Sequence, residues 1–252
     1  MIYFYRKQAA HYAAKKNWPI LYISLELGNS DFIARLLGLE TDIAWSKIWH
    51  GETQALTKIN ELKATEKIAS LPIRQASVPP YGWSYQNLWS LVKNMIENHP
   101  QKKSPFVILD FMQLVASPEG LREDLREKIQ KTAYAARAVA RNLSATILLI
   151  SSTSREKYAA LDGRDKGQPA WEQSASFLVG FGKEAGEIEY AADSVFVLAK
   201  EPWPTKEPPK EGSTIHLGIA KLRAGATGAW FKMQLNGSKF RDINQEKELL
   251  KL

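Results

Sequence analysis

Three mostly apolar runs stop at polar positions, and they set the expected frame of this chain. Pro19 to Leu25 reads as a short buried strand, Phe106 to Asp110 is the clearest such run, and Ala145 to Ser151 is the third. Strands covered on both faces read as continuous apolar runs rather than alternating ones. Between them the pattern turns helical. Residues 4–16 carry Ala9, Ala10, Ala13 and Ala14 and end on Lys15 and Lys16, which suit a helix C-terminus. Asn29 and Ser30 offer a cap for a helix from Asp31 to Leu39. Residues 42–70 read as helical with a break at His50-Gly51, and 84–98 and 119–143 as two further helices. Pro72 to Ala76 predicts a short strand, and Pro79-Pro80-Tyr81-Gly82 a turn.

The last third changes character. Residues 155–185 mix glycines, a proline and many charges and predict irregular structure. Asp193 to Leu198 reads as a strand, and Pro202 to Pro209 as a hairpin tip or loop. Ser213 to Lys221 and Ala229 to Leu235 alternate like paired strands. No internal repeat is visible. Strands alternating with helices, followed by hairpin strands, predict an α/β fold whose sheet is mostly parallel with an antiparallel edge. The expected organisation is one domain over 1–245 with a tail at 246–252. Ligands of such sheets sit beyond the carboxyl ends of the strands, where Glu26 and Asp110 both fall.

Composition narrows the partners. The chain has 252 residues, 44% of them hydrophobic, and no apolar run near the roughly 18 residues of a membrane span. Residues 1–16 are basic and amphipathic, unlike a secretory signal. The absence of cysteine excludes disulfides, thiolate metal sites and cysteine nucleophiles, and fits a reducing cytoplasmic compartment. A net charge of +7 fits a polyanion partner as well as it fits a solvated basic surface.

Several positions carry candidate chemistry. An acid after a strand is usually a turn residue or a helix cap, but two of them at two strand ends of one sheet edge point to a magnesium-nucleotide site. Such a site needs one carboxylate near the metal and one to polarise water. Asp110 and Glu26 are those candidates, and Gln113 lies where its amide could read a nucleotide-bound state or contact DNA. Lys221 and Arg223 alternate on a strand and therefore share a face. They are either a charged edge that discourages aggregation or a clamp on phosphoryl oxygens. The turn Ala224-Gly225-Ala226-Thr227-Gly228 follows them. No Gly-rich phosphate loop ending in Gly-Lys-Ser/Thr occurs; in Phe181-Gly182-Lys183-Glu184 a glutamate stands in the hydroxyl position. His11, His50, His99 and His216 have no metal-ligand spacing and read as structural. Ser151-Ser152-Thr153-Ser154 lacks a nucleophile elbow. Trp45, Trp49, Trp83 and Trp89 read as packing residues.

Four segments in order resemble the C-terminal motor domain of the DnaB family of replicative DNA helicases, over about residues 4–242. They are Ser24-Leu25-Glu26-Leu27, Leu109-Asp110-Phe111-Met112-Gln113-Leu114, the stretch from Glu184 to Asp193, and Lys221-Leu222-Arg223-Ala224-Gly225 with Gly228. The resemblance implies a RecA-like fold that uses ATP and magnesium and forms a ring, a hexamer in that family, on single-stranded DNA. It implies Glu26 as catalytic base, Asp110 as the magnesium-linked acid and Gln113 as the family glutamine. It also implies that Lys221 and Arg223 reach a neighbouring subunit's nucleotide. Ser152 stands where the family carries Gln, and Arg155 retains the family Arg; with Asp110, Lys221 and Arg223 they form the implied nucleotide-binding set. The family's DNA loops fall near 117–128 and 160–185, which hold Arg122, Arg126, Lys128, Arg164, Lys166 and Lys183. The family's phosphate loop and its strand would lie before Phe4, so the resemblance implies a fold lacking its first strand. A non-catalytic remnant that binds DNA or helicase subunits is the alternative. A circadian- or repair-type RecA-like ATPase fits the Ser-Leu-Glu and Lys-x-Arg-x-Gly segments less well.

Overall fold

The computed structural model describes residues 2–77, 83–153, 157, 161, 168–181, 186–202, 212–236 and 239–242. The chain divides into two compact units, Met1–Ser152 and Thr153–Leu252. None of the described helices is long and apolar enough to cross a membrane.

The first unit is built on a parallel sheet in the order β2-β1-β3-β4, with β1 Ile20–Ser24, β2 Ile73–Ser77, β3 Phe106–Asp110 and β4 Thr146–Leu149. β1 and β3 pair in register, with Ile20 opposite Phe106 and Ser24 opposite Asp110. All five residues of β1 are buried, as the apolar run predicts for a strand covered on both faces. Helices α1 (Ile2–Lys15), α2 (Asn29–Thr41) and α5 (Ala64–Ala69) meet one face, where Ala10, Ala14, Ile20, Tyr22, Phe32, Leu36, Leu39, Ile68 and Ile108 form one apolar cluster. Alternation turns Leu21, Ile23, Val107 and Leu109 to the opposite face, where each is also fully buried. Burying each such side chain contributes about 1.5–3 kcal/mol.

The helix boundaries differ from the sequence expectations for local reasons. The helix after β1 starts at Asn29 rather than Asp31, with Gly28 in extended conformation as its N-cap; it stops at Asp42, whose φ of 62° is left-handed. The helical stretch 42–70 breaks twice, into α3 (Trp45–Trp49), α4 (Thr53–Glu61) and α5. Gly51 (φ 69°) makes the expected break, and Lys63 makes a second at φ 49°, a conformation a lysine does not advertise. In this region Arg35 lies with its guanidinium 3.8 Å from the Trp45 ring centre. Helix α6 occupies Asn87–Asn98; Ser84, short of its start, donates its backbone N–H to the Asn87 side chain at 2.8 Å. The helix expected over 119–143 is α7, Leu125–Asn142. Asp124 accepts from the Glu127 N–H at 2.8 Å while Glu127 accepts from the Asp124 N–H at 3.2 Å, so this capping box fixes its start.

The second unit holds an antiparallel sheet in chain order, β5 (Ser194–Lys200), β6 (Ser213–Leu222), β7 (Trp230–Asn236) and β8 (Lys239–Asp242). The predicted C-terminal hairpin strands are present, and β8 extends them by one strand that the sequence pattern did not announce. Two 3-10 segments, Ala170–Glu172 and Ala175–Phe181, lie in the stretch expected to be irregular, and a short helix α8, Gly186–Ala191, precedes β5. Trp171 stacks flat on His216 at 4.6 Å, and the His216 ring bonds Glu201 at 2.6 Å. The expected turn at 79–82 and loop at 203–209 lie outside the described residues.

Candidate functional site

The carboxyl edge of the parallel sheet gathers the predicted residues of the first unit. Asp110, the last residue of β3, is fully buried, and its carboxylate accepts a hydrogen bond from the Tyr22 hydroxyl of β1. Its backbone carbonyl accepts from the Leu25 N–H at 2.8 Å, so the ladder between the two strands runs one residue past the end of β1. The Asp110-Phe111 peptide is cis.

Glu26 is exposed and sits in the turn just beyond β1. Ser24 cinches that turn. Its buried hydroxyl donates to the Leu27 carbonyl at 2.6 Å and accepts from the Leu27 N–H at 3.1 Å. Register puts Ser24 beside Asp110, so Glu26, just past β1, and Asp110, the last residue of β3, lie at the same edge, one turned to solvent and one interior.

Gln113 lies in the 3-10 turn Met112–Leu114 that follows β3. Its amide nitrogen donates to Ser151 Oγ at 2.7 Å, and its amide oxygen accepts from the Ser152 N–H at 3.2 Å. The Met112 N–H also donates to the Ile150 carbonyl at 2.9 Å. The end of β4 is thus tied to the turn after Asp110 by one side chain and one backbone bond. A shift at either end would be passed to the other through Gln113. Ser152 takes part through its backbone. Arg155 lies outside the described residues, as do Arg164, Lys166 and Lys183.

Asp110 stands outside any acidic cluster: among the described residues no group of three His, Cys, Asp or Glu could hold a metal. This donor set does not fit a zinc or calcium cage. It does fit magnesium, which binds through one or two carboxylates and keeps waters and substrate phosphates for the rest.

The second unit carries the predicted cations. Lys221 lies on β6, and Arg223 follows the strand's last residue, Leu222. Lys221 Nζ donates to the Glu189 carbonyl of α8 at 2.5 Å, a favourable end for a cation. The Arg223 guanidinium pairs with Asp193 at 2.9 Å, and the Arg223 N–H donates to the Asp193 carbonyl at 2.9 Å. Both cations therefore reach the segment between Glu189 and Asp193, consistent with the shared face expected from their alternation. A register shift in the β5–β6 pairing between Val195 and Phe196 sets the end of β6 apart from the rest of the strand. Bulges of this kind re-aim side chains at functional edges. The glycine turn closes behind them with the Gly228 N–H on the Ile219 carbonyl at 2.8 Å; Gly228 has φ 93°, and a Cβ there would collide with the Ser174 hydroxyl.

Sequence reasoning passed over Tyr22 and gave Asp193 no role. Tyr22 had a signal, since a tyrosine inside a fully apolar strand needs a partner for its hydroxyl. Asp193 had one in closing the Glu184–Asp193 segment of the family resemblance, though nothing there pointed to Arg223. Of the tryptophans read as packing residues, Trp83 is buried and Trp45 lies under Arg35, whereas Trp49 and Trp89 are exposed.

Known proteins match this chain over nearly its whole length. The family model described as DnaB-like helicase C terminal domain matches residues 3–242. A probable replicative DNA helicase of Trieres chinensis is 24% identical over 237 residues, covering 93% of this chain and 49% of that protein. The replicative DNA helicase DnaB of Leifsonia xyli is 26% identical over 238 residues, covering 92% of this chain and 47% of its own length. The chain thus spans about half the length of these relatives. Among solved structures, an ATPase domain superposes with a TM-score of 0.78 at 20% identity, covering 95% of this chain and 80% of that one. A DnaB-like replicative helicase studied with primase superposes with a TM-score of 0.75 at 20% identity, covering 92% and 52%.

Proposed function

The chain belongs to the family of DnaB-like helicase C-terminal domains and has a RecA-like fold, and from that premise we propose that it is the motor part of a DNA-replication helicase. In this reading the protein forms a ring with copies of itself, uses ATP with magnesium, and moves on single-stranded DNA. The observation that carries it is the pairing of a buried acid, Asp110, with an exposed acid, Glu26, at one edge of two neighbouring parallel strands.

The roles follow from the environments. Glu26 faces solvent on a turn cinched by Ser24, where a water can reach it, and it takes the proton of the attacking water. Asp110 is held by the Tyr22 hydroxyl and is the residue that would hold magnesium. When bound, that ion neutralises charge on the phosphates. Gln113 links the edge of β3 to Ser151 and Ser152 at the end of β4, so it carries the nucleotide state from one strand to the next. Lys221 and Arg223 clamp phosphoryl oxygens of a nucleotide held by a neighbouring copy, with the planar guanidinium giving a bidentate contact.

One observation favours a second reading. The sequence contains no Gly-rich phosphate loop, so these residues offer no such cradle of backbone N–H groups to a triphosphate. The chain would then bind DNA or helicase subunits without hydrolysing ATP. DNA-stimulated ATP hydrolysis by the purified chain and its Glu26→Gln variant separates the two. The motor reading expects turnover that falls roughly 100-fold or more in the variant, in line with the loss of a general base. Unchanged turnover in Glu26→Gln removes Glu26 from the mechanism, and absent turnover with DNA binding retained selects the second reading.

A further inference from the structure

At the edge of the parallel sheet opposite Glu26 and Asp110, two exposed aromatic rings each carry a lysine. Tyr12 is 65% exposed on the last turns of α1, and Trp18 is 42% exposed just before β1. Lys16 Nζ lies 5.7 Å from the Tyr12 ring centre, and Lys103 Nζ lies 5.3 Å from the Trp18 ring centre. Lys16, Asn17 and Trp18 are consecutive, and Lys103 also donates to the Asn17 carbonyl at 3.1 Å, so the two ring-lysine pairs form one surface.

The surface is held in shape. The Trp18 indole N–H donates to the Ser104 carbonyl at 3.2 Å. The turn that presents Lys103 is folded around His99, whose Nδ1 accepts from the Gln101 and Lys103 N–H groups at 3.3 and 3.4 Å. Charge is left over as well. Lys15 is satisfied by Glu40 at 2.7 Å, whereas among the described residues neither Lys16 nor Lys103 pairs with a carboxylate. Surface lysines do cover aromatic rings in ordinary packing. Here two large rings stay exposed, neither cation is neutralised by a described carboxylate, and the Trp18 ring and Lys103 are fixed by hydrogen bonds to backbone.

We propose that Tyr12, Lys16, Trp18 and Lys103 form a second binding surface for single-stranded nucleic acid. It is separate from the strand-end acids by the length of the sheet, about 17 Å for five residues. Stacking on aromatic rings combined with lysine contacts to phosphate is the chemistry that takes an unpaired strand without sequence preference. An acidic peptide would use the lysines and leave the rings idle.

The test is binding of fluorescently labelled 20-mers of oligodeoxythymidine and of oligouridine to the purified chain, by anisotropy at two salt concentrations. The variants are Lys16→Glu/Lys103→Glu and Tyr12→Ala, with Arg122→Glu/Arg126→Glu as comparison. The surface predicts at least a tenfold loss for the lysine pair and a salt slope smaller by about 1.4, from about 0.7 per lost single-strand contact. It predicts at least a fivefold loss for Tyr12→Ala. The two oligonucleotides tell DNA from RNA as the preferred strand. Photocrosslinking of an iodouracil-substituted strand to the unaltered chain needs no variant, and it should label Tyr12 or Trp18. Affinities within twofold of the parent with crosslinks elsewhere overturn the site. So does equal competition by polyglutamate, which assigns the surface to an acidic peptide. A loss confined to Arg122→Glu/Arg126→Glu removes this surface and leaves the motor reading untouched.

Discussion

Asp110 and Arg223 carry the two opposite charges on which the proposed chemistry depends, and the fold treats them in opposite ways. Asp110 is wholly buried on a strand that is itself buried, and its partner Tyr22 comes from the adjoining strand of the same sheet. The Arg223 side chain is half exposed, and its partner Asp193 is 74% exposed. A hydrogen bond to a buried charge is worth about 1.5–3 kcal/mol, whereas an exposed ion pair is worth about 0–1 kcal/mol. The carboxylate is thus locked in place, and the guanidinium can exchange one anion for another at little cost. That contrast suits a metal-linked acid that must not move and a cation that must reach a phosphate on another molecule.

The largest test of the contrast is Tyr22→Phe. It removes the hydroxyl from a buried carboxylate and changes almost nothing else in shape. The expected loss is about 1.5–3 kcal/mol of unfolding free energy, read from the urea midpoint at neutral pH. A midpoint unmoved by the change would mean that Asp110 is not held by Tyr22, and the rigid half of the comparison fails.

Gln113→Ala comes next. It deletes two partly buried hydrogen bonds, to Ser151 Oγ and from the Ser152 N–H, and about 1–2 kcal/mol of stability is expected to go with them. The Ser152 amide should also exchange its hydrogen faster, because its acceptor is gone. Ordinary exchange at Ser152 would show that the end of β4 is tied to the turn after Asp110 by the backbone bond between Met112 and Ile150 alone.

How far these sites could be read in advance depended on burial. Strand β3 was legible to the residue, because four apolar positions ending in one acid allow few other structures. Asp110 as a candidate followed from it, and Glu26 from the end of β1, since the carboxyl edge of a parallel sheet is where ligands gather. The Tyr22 contact was half legible: the need for a partner shows in the strand, but its identity requires the in-register pairing of β1 with β3. The α7 start was written in Asp124 and Glu127, three residues apart, yet the helix-favouring Leu121, Arg122 and Glu123 just upstream masked it. The left-handed Lys63 and the pairing of Asp193 with Arg223 left no trace, because a left-handed lysine and an exposed salt bridge are decided by tertiary context. Strand β8 went unseen because four residues are too few to establish a period.

Glu40 supplies an intermediate case, a carboxylate with a side chain 10% exposed and held by cations at the surface. Burial alone would raise its pKa. The Lys15 hydrogen bond and the charges of Lys15 and His11 outweigh burial and hold it below its ordinary value of 4.5. A folded pKa below the unfolded one contributes stability that is fully present above the unfolded value and is lost as pH falls through the folded one. Stability should therefore decline below about pH 4.5 for this reason among others, and Glu40→Gln should flatten that part of the pH profile. The change at neutral pH should be up to about 1 kcal/mol, between the effects of the buried and exposed sites. A pH profile indifferent to Glu40→Gln would place this cluster with the exposed pairs.

Asp193→Asn is the smallest perturbation and the most direct probe of the exposed site. The asparagine keeps the backbone carbonyl that accepts from the Arg223 N–H, so only the side-chain ion pair is lost. Both side chains are more than half exposed, and the expected stability change is below about 0.5 kcal/mol. A double-mutant cycle with Arg223→Gln should return a coupling of the same small size. If the pair only parks the guanidinium, inorganic tripolyphosphate should bind Asp193→Asn more tightly than the parent chain, because one competing anion has been removed. Arg223→Lys should not reproduce that gain, since a lysine cannot grip two oxygens at once. A coupling of about 2 kcal/mol or more, on the order of a buried charged hydrogen bond, would mean that Arg223 is as fixed as Asp110. The cation would then be a structural strut, and the phosphate clamp would have to be sought in Lys221 alone.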